Sequence, residues 1–210
     1  MKVNEYLKGI IEHNTSVLGK AITLIESSLK KDKKKASKLI DQCIPFSGNS
    51  IRIGISGTPG VGKSTLIESL GAHLSKDNRI AVLAIDPSST MSKGSVLGDK
   101  TRMVKLANSE SAFIRPSPSK GELGGVCHHT KETILLCEAA GFNIIFVETV
   151  GVGQSESEVS LMTDFFIYLT LTQNGDQLQF LKKGALELSD IILINKCDQN
   201  EQKCKEINTI

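Results

Sequence analysis

An α/β domain with a mostly parallel sheet covered by helices is the fold class this sequence predicts, and three observations predict it. From residue 51 onward, short apolar runs alternate with amphipathic segments, the pattern of successive βαβ units. The apolar residues are aliphatic, with aromatics at 4% and no Trp, as suits strands buried on both faces. At 210 residues, 40% hydrophobic and 23% charged, the chain can bury one substantial core, which excludes a disordered or fibrous protein.

Residues 1–46 form a small N-terminal helical segment. Tyr6, Leu7, Ile10 and Ile11, then Val17, Leu18, Ala21, Ile22, Leu24 and Ile25, recur at three-to-four spacing. Lys30, Lys31, Lys33, Lys34, Lys35 and Lys38 make a charge run that either docks on an acidic partner or membrane surface or is a solvated helix face or inter-helix turn. The lack of interleaved aromatics favours the second. Pro45, Ser47, Gly48, Asn49 and Ser50 read as a linker to a domain over residues 51–210.

Within that domain IRIGIS, RIAVLAID, SAFIRP, NIIFVET, DFFIYLTL and DIILIN are the expected strands. Residues 63–76, 128–140, 155–163 and 177–188 are the expected helices. Ligands of such sheets bind beyond the carboxyl ends of the strands, so the residues that follow each strand are where chemistry is expected.

Composition excludes several classes. Lys+Arg 25 against Asp+Glu 23, with 21 of the cations Lys, does not describe a nucleic-acid binder. Five cysteines without a CxxC suggest neither a disulfide framework nor a zinc site, and a reducing, cytoplasmic setting fits them. No apolar run approaches the ~18 residues of a membrane span. The N-terminus carries Glu5 and no Arg before Arg52, so neither a signal nor a transit peptide is expected.

After the first strand, Gly57-Thr58-Pro59-Gly60-Val61-Gly62-Lys63-Ser64-Thr65 fills every position of the G-x-x-x-x-G-K-[ST] phosphate loop. Its glycines let backbone N–H groups surround a phosphate at a helix N-terminus. Lys63 is expected to reach the β- and γ-phosphates, and the Ser64 hydroxyl to ligate Mg²⁺. After the sixth strand comes Asn195-Lys196-Cys197-Asp198, an N-K-x-D element. The Asp198 carboxylate can accept two hydrogen bonds from guanine that adenine cannot offer, so GTP/GDP is the expected nucleotide, with Lys196 along base and ribose.

Glu148-Thr149-Val150-Gly151 occupies the place of a GTPase Asp-x-x-Gly element, with Glu148 suited to Mg²⁺ and the Gly151 N–H to the γ-phosphate. Gln154 is either a water-orienting group or a solvated loop amide. Asp86 and Asp99 are candidate metal or water-positioning acids, and Asp99 is alternatively a helix N-cap. Arg102 and Arg115 are candidates for neutralising transition-state charge, though structural ion pairs fit them better. Cys127, His128 and His129 read as a helix start with no metal, because adjacent helical residues point about 100° apart. Pro116 to Gly125 reads as a loop that serves either as a switch or as ordinary surface.

Together, GTPGVGKST, LAIDPSST, GSVLGDKTRM, FIRPSPSKGELGG, LLCEAAGF, VETVGVGQSE and NKCD closely resemble the MeaB/ArgK family of GTPases. The match runs from about Gly19 to Asp198. That resemblance implies a P-loop NTPase fold, phosphate binding by Gly57 to Thr65, and Mg²⁺ and water held by Ser64, Asp86, Asp99 and Glu148. It places Gln154 in a nucleotide-sensing switch. It also implies a mobile loop over residues 175–182, where Gln177 and Phe180 replace the family's usual Glu and Gly and Lys182 is kept.

As partner the resemblance implies an adenosylcobalamin-dependent mutase of the methylmalonyl-CoA type, chaperoned by a homodimeric GTPase. Twelve residues follow Asp198, where family members continue into another strand, a base-contacting loop and a helical part. The chain therefore reads as shortened at its C-terminus, with its dimer in question. Two alternatives stand beside the GTPase reading: an ArgK-type ATP-dependent kinase of a transport protein, and a truncated remnant that binds nucleotide or partner without turnover.

Overall fold

The computed structural model describes residues 1–86, 103–118, 125–149, 151, 155–171 and 187–199, with the side chains of 86, 117, 118, 125–128, 155 and 199 outside the description. Three helices open the chain: α1 (Val3–Ile11), α2 (Thr15–Ile25) and α3 (Lys30–Cys43). Asn14 starts α2 by accepting a hydrogen bond from the Val17 N–H at 3.1 Å, as an N-cap side chain should. The charge run lies on α3. Lys30, Lys31, Lys33, Lys34 and Lys38 are exposed, while Ala36, Leu39 and Cys43 turn inward.

Next come β1 (Ile51–Gly57), α4 (Lys63–Leu74), β2 (Ile80–Asp86), α5 (Val104–Ala107), β3 (Ala112–Pro118), α6 (Gly125–Ala139), β4 (Ile144–Glu148), α7 (Ser155–Ser160), β5 (Phe165–Leu171) and β6 (Ile191–Asn195). The strands form one parallel sheet in the order β3-β2-β4-β1-β5-β6. All six expected strands are present within two residues of their expected bounds. Residues 177–186 of the fourth expected helix lie outside the described residues.

Alternate residues along β2 divide the core. Ala81, Leu83 and Ile85 face a cluster containing Ile145, Val147 and Phe166 together with Ile10, Leu18, Ile22 and Leu39 of the opening helices. Ile80 and Val82 face a second cluster with Ile55, Phe146, Leu169, Ile67 of α4 and Leu106 of α5. The opening helices thus cover one sheet face, because their apolar stripe and that face need the same partner. Their junction is fastened as well: the Glu138 carboxylate accepts from the Gly48 N–H at 2.9 Å, Ser50 Oγ at 2.6 Å and Arg52 Nε at 2.9 Å. The expected linker is a 3₁₀ turn, Ile44–Phe46, followed by these bonds.

Two expectations are corrected and one helix is added. Strand β3 runs on to Pro118, so Pro116 to Pro118 are strand where a loop is expected; residues 119–124 lie outside the described residues, and the prolines are tolerated because β3 is an edge strand among the described residues. Helix α5 is an addition to the expected helices, with the Lys105 and Leu106 N–H groups donating to the Glu68 carboxylate of α4 at 2.6 and 3.3 Å, and the candidate N-cap Asp99 lies outside the described residues. Cys197 is disulfide-bonded, a matter of spatial approach that spacing along a chain does not report. Among the described residues, no helix is long and apolar enough to cross a membrane.

Candidate nucleotide site

The candidate residues gather at the carboxyl ends of β1, β4 and β6. Gly62 sits at φ 103, a left-handed conformation that favours glycine, and a Cβ there would meet Asn195 Nδ2 at 2.5 Å. Its position lets the chain turn straight into α4, so that Lys63 and Ser64 open the helix. Lys63 is buried, at 8% exposure, and its ammonium donates to the carbonyls of Gly57 at 2.7 Å and Thr58 at 3.3 Å. Burial pulls this ammonium below the ordinary lysine range, and the charges of Glu148 and Glu156 oppose that.

Ser64 Oγ donates to Glu148 Oε1 at 2.8 Å. Glu148 ends β4 in register with Ile55 of β1, and this pairing brings the carboxylate to the first turn of α4. A hydroxyl and a carboxylate together fit a hard, oxygen-preferring cation such as Mg²⁺. Thr149 N–H donates to the Ile55 carbonyl at 3.0 Å. Gly151, at φ 81, lies so close to the Gly57 carbonyl that no side chain fits between them. The element after β4 therefore rests directly on the phosphate loop.

The element after β6 touches the same loop. Asn195 Nδ2 donates to the Val61 carbonyl at 2.7 Å, and Lys196 Nζ to the Gly60 carbonyl at 3.0 Å. Lys196 is thus on the loop backbone here, where the sequence places it along base and ribose. Asp198 is exposed in a 3₁₀ turn, Cys197–Gln199. Asp86 ends β2, which pairs with β4, and its side chain lies outside the described residues, as do Asp99, Arg102, Gln154 and Lys182. Arg115 is an ion-pair residue, with its guanidinium 2.6 Å from Glu26 Oε2 and 3.3 Å from Thr23 Oγ1.

Sequence reasoning missed one group beside this site. Thr149 Oγ1 donates to Ser56 Oγ at 2.8 Å, and Ser56 Oγ lies 3.5 Å from Glu156 Oε1. All three residues are buried, and the signal was available as an acid two places beyond Gln154.

A parallel sheet carrying a complete phosphate loop, with Asn195 and Lys196 of the N-K-x-D element after β6 bonded to that loop, defines a P-loop NTPase with the elements of a GTP-binding protein. The chain belongs to the family described as methylmalonyl Co-A mutase-associated GTPase MeaB, which matches residues 18–209. It is 56% identical to a probable GTPase of Mycobacterium tuberculosis over 90% of this chain and 56% of that protein. It is 48% identical to the GTPase ArgK of Escherichia coli over 92% of this chain and 59% of that one. A crystal structure of an LAO/AO transport system kinase superposes with a TM-score of 0.80 at 38% identity, covering 99% of this chain and 61% of that chain. The chain thus spans somewhat over half the length of the relatives it matches.

Proposed function

We propose that this protein is a Mg²⁺-dependent GTPase that hydrolyses GTP to GDP and phosphate. The observation that supports this reading is the docking of Asn195 and Lys196, of the N-K-x-D element, on the Val61 and Gly60 carbonyls of the phosphate loop. Gly57 to Thr65 hold the phosphates, with Lys63 on the β- and γ-phosphates and the Gly151 N–H on the γ-phosphate. Asp198, with Asn195 and Lys196, holds the base. Ser64 and Glu148, with Asp86 and Asp99, would hold Mg²⁺, which when bound would neutralise phosphate charge.

Water attacks the γ-phosphorus and the bond to the bridging oxygen breaks, with Asp86, Asp99, Glu148 and Gln154 as the groups that orient the water and Lys182 as a group brought to the site when a partner binds. No covalent intermediate is required. Phosphate release from GTP in Mg²⁺, and its loss in EDTA, tests the reading; a preparation that binds GTP in Mg²⁺ without releasing phosphate would favour a non-catalytic nucleotide-binding role.

The hydrolysis serves as a switch for an adenosylcobalamin-dependent mutase of the methylmalonyl-CoA type, a role supported by the family description. Mixing the protein with such a mutase and comparing complex formation in GDP and in a non-hydrolysable GTP analogue tests it. A second reading, a kinase acting on a transport protein, is favoured by the name of the structural relative at 38% identity. Transfer of labelled γ-phosphate to protein instead of water would support it.

A further inference from the structure

Among the described residues the β1–β4 ladder runs from the Ile51–Ile144 pair to the Ile55–Glu148 pair. The chain leaving β4 stays on β1 for a further step. Thr149 N–H donates to the Ile55 carbonyl at 3.0 Å, and Thr149 Oγ1 donates to Ser56 Oγ at 2.8 Å. Both residues are buried, at 1% and 0% exposure, so losing either hydroxyl leaves the other short of a bond that bulk water does not supply. Ser56 turns its own hydrogen towards Glu156 Oε1, at a longer 3.5 Å, which leaves a lone pair for Thr149.

The next contact along the two chains is Gly151, at φ 81, against the Gly57 carbonyl, with no room for a Cβ between them. The hydroxyl pair thus stands between two parts of the site. On one side is Glu148, fixed independently by its register with Ile55 and by Ser64 Oγ at 2.8 Å. On the other is Gly151, two residues beyond Thr149 and past the last ladder pair. Two aliphatic side chains would fill the same space without a directional demand, whereas a hydrogen bond weakens steeply when its partners slide. The bond therefore holds the segment after β4 at one height over the end of β1.

We propose that the Thr149–Ser56 hydrogen bond positions Gly151 over the phosphate loop and so sets the preference for a nucleoside triphosphate over the diphosphate. This rests on the reading of Gly57 to Thr65 as the phosphate loop and of the Gly151 N–H as a γ-phosphate donor. GDP has no γ-phosphate for that N–H to meet, whereas the loop and Glu148 serve both nucleotides alike. Loss of the bond should weaken GTP and spare GDP. Thr149 and Ser56 are positioning residues, acting through Gly151.

Thr149→Val keeps the branched shape and removes the donor. In competition against a fluorescent GDP analogue in Mg²⁺, affinity for a non-hydrolysable GTP analogue should fall by about three- to tenfold, the worth of one hydrogen bond, while GDP affinity stays within about twofold. Thr149→Ser, which restores the hydroxyl, should recover the wild-type ratio. Ser56→Ala removes the acceptor from the other strand and should shift the ratio by the same factor. Ser56→Ala combined with Thr149→Val should lose no more than the larger single loss, because both remove one bond.

Equal losses for both nucleotides, an unchanged ratio, or no rescue by Thr149→Ser would overturn the proposal, as would single variants at both positions that stay unfolded in Mg·GDP. A wild-type protein that binds neither GDP nor the GTP analogue would instead remove the nucleotide reading itself, so the two failures are distinguishable.

Discussion

Asn195 Nδ2 donates a 2.7 Å hydrogen bond to the Val61 carbonyl, so the loop that follows β6 is fastened to the loop that follows β1. In the proposed site one would hold the base and the other the phosphates, and this bond fixes their separation. Asn195→Ala removes the donor and leaves the Val61 carbonyl without it. Affinity for GTP and GDP should fall together by about tenfold, or about 1.4 kcal/mol, in calorimetric titration. A loss confined to one nucleotide would contradict a purely positional role for Asn195.

Ser64→Ala removes the hydroxyl that donates to Glu148. If Ser64 ligates Mg²⁺, the Mg²⁺ concentration giving half-maximal phosphate release should rise about tenfold, with GDP affinity in EDTA little changed. An unaltered Mg²⁺ titration would remove Ser64 from the metal set.

How far the sequence reached is visible at these two residues. Both loops were legible because each is defined by residues that stand together in the chain at fixed spacing after an apolar run. Their contact was not, because Val61 and Asn195 are far apart in sequence and meet only through the strand order. The Ser56–Thr149–Glu156 group escaped for the same reason. Helix α5 escaped because its start is capped by Glu68 of another helix. The opening helices were legible as helices from their periodicity, whereas their sharing of a core with β2, β4 and β5 depends on packing that periodicity does not encode.

Glu138, with a nearly buried carboxylate, accepts three hydrogen bonds from the segment joining the opening helices to β1. Glu138→Ala leaves those donors, one of them Arg52, without their acceptor. Urea denaturation should report a loss of about 2–3 kcal/mol, and a loss below about 0.5 kcal/mol would place the junction outside the cooperative core.

Cys43 and Cys137 are free and fully buried. Burial pushes the Cys43 thiol from its ordinary value of 9.0 up to about 11, and Cys137 further still. Each raised value favours the neutral thiol in the folded state, so this contribution is complete below about pH 9 and is lost as pH rises through 11. Stability measured by urea should decline over that range, and Cys43→Ser, which has no thiol to ionise, should decline less. Neither native thiol should react with a disulfide reagent at pH 8 until urea unfolds the protein.

Among the described residues, strand β6 lies at the edge of the sheet, with Ile191 43%, Ile192 48% and Leu193 36% exposed. An exposed apolar edge strand invites pairing with a second chain. The 210-residue protein should therefore self-associate in light scattering, and Ile192→Lys should reduce that without altering GDP affinity. A monodisperse monomer across concentrations would contradict this.

The most direct test of the nucleotide assignment is competition of GTP and ATP against a fluorescent GDP analogue in Mg²⁺, for the wild type and Asp198→Ala. Asp198 is exposed in its turn, so some binding energy goes to ordering it, and a preference of about tenfold for GTP is expected, below the ~100-fold that a firmly held carboxylate would give. Asp198→Ala should bring the two nucleotides to parity. Equal binding of ATP and GTP by the wild type, or an unchanged preference in the variant, would contradict the account.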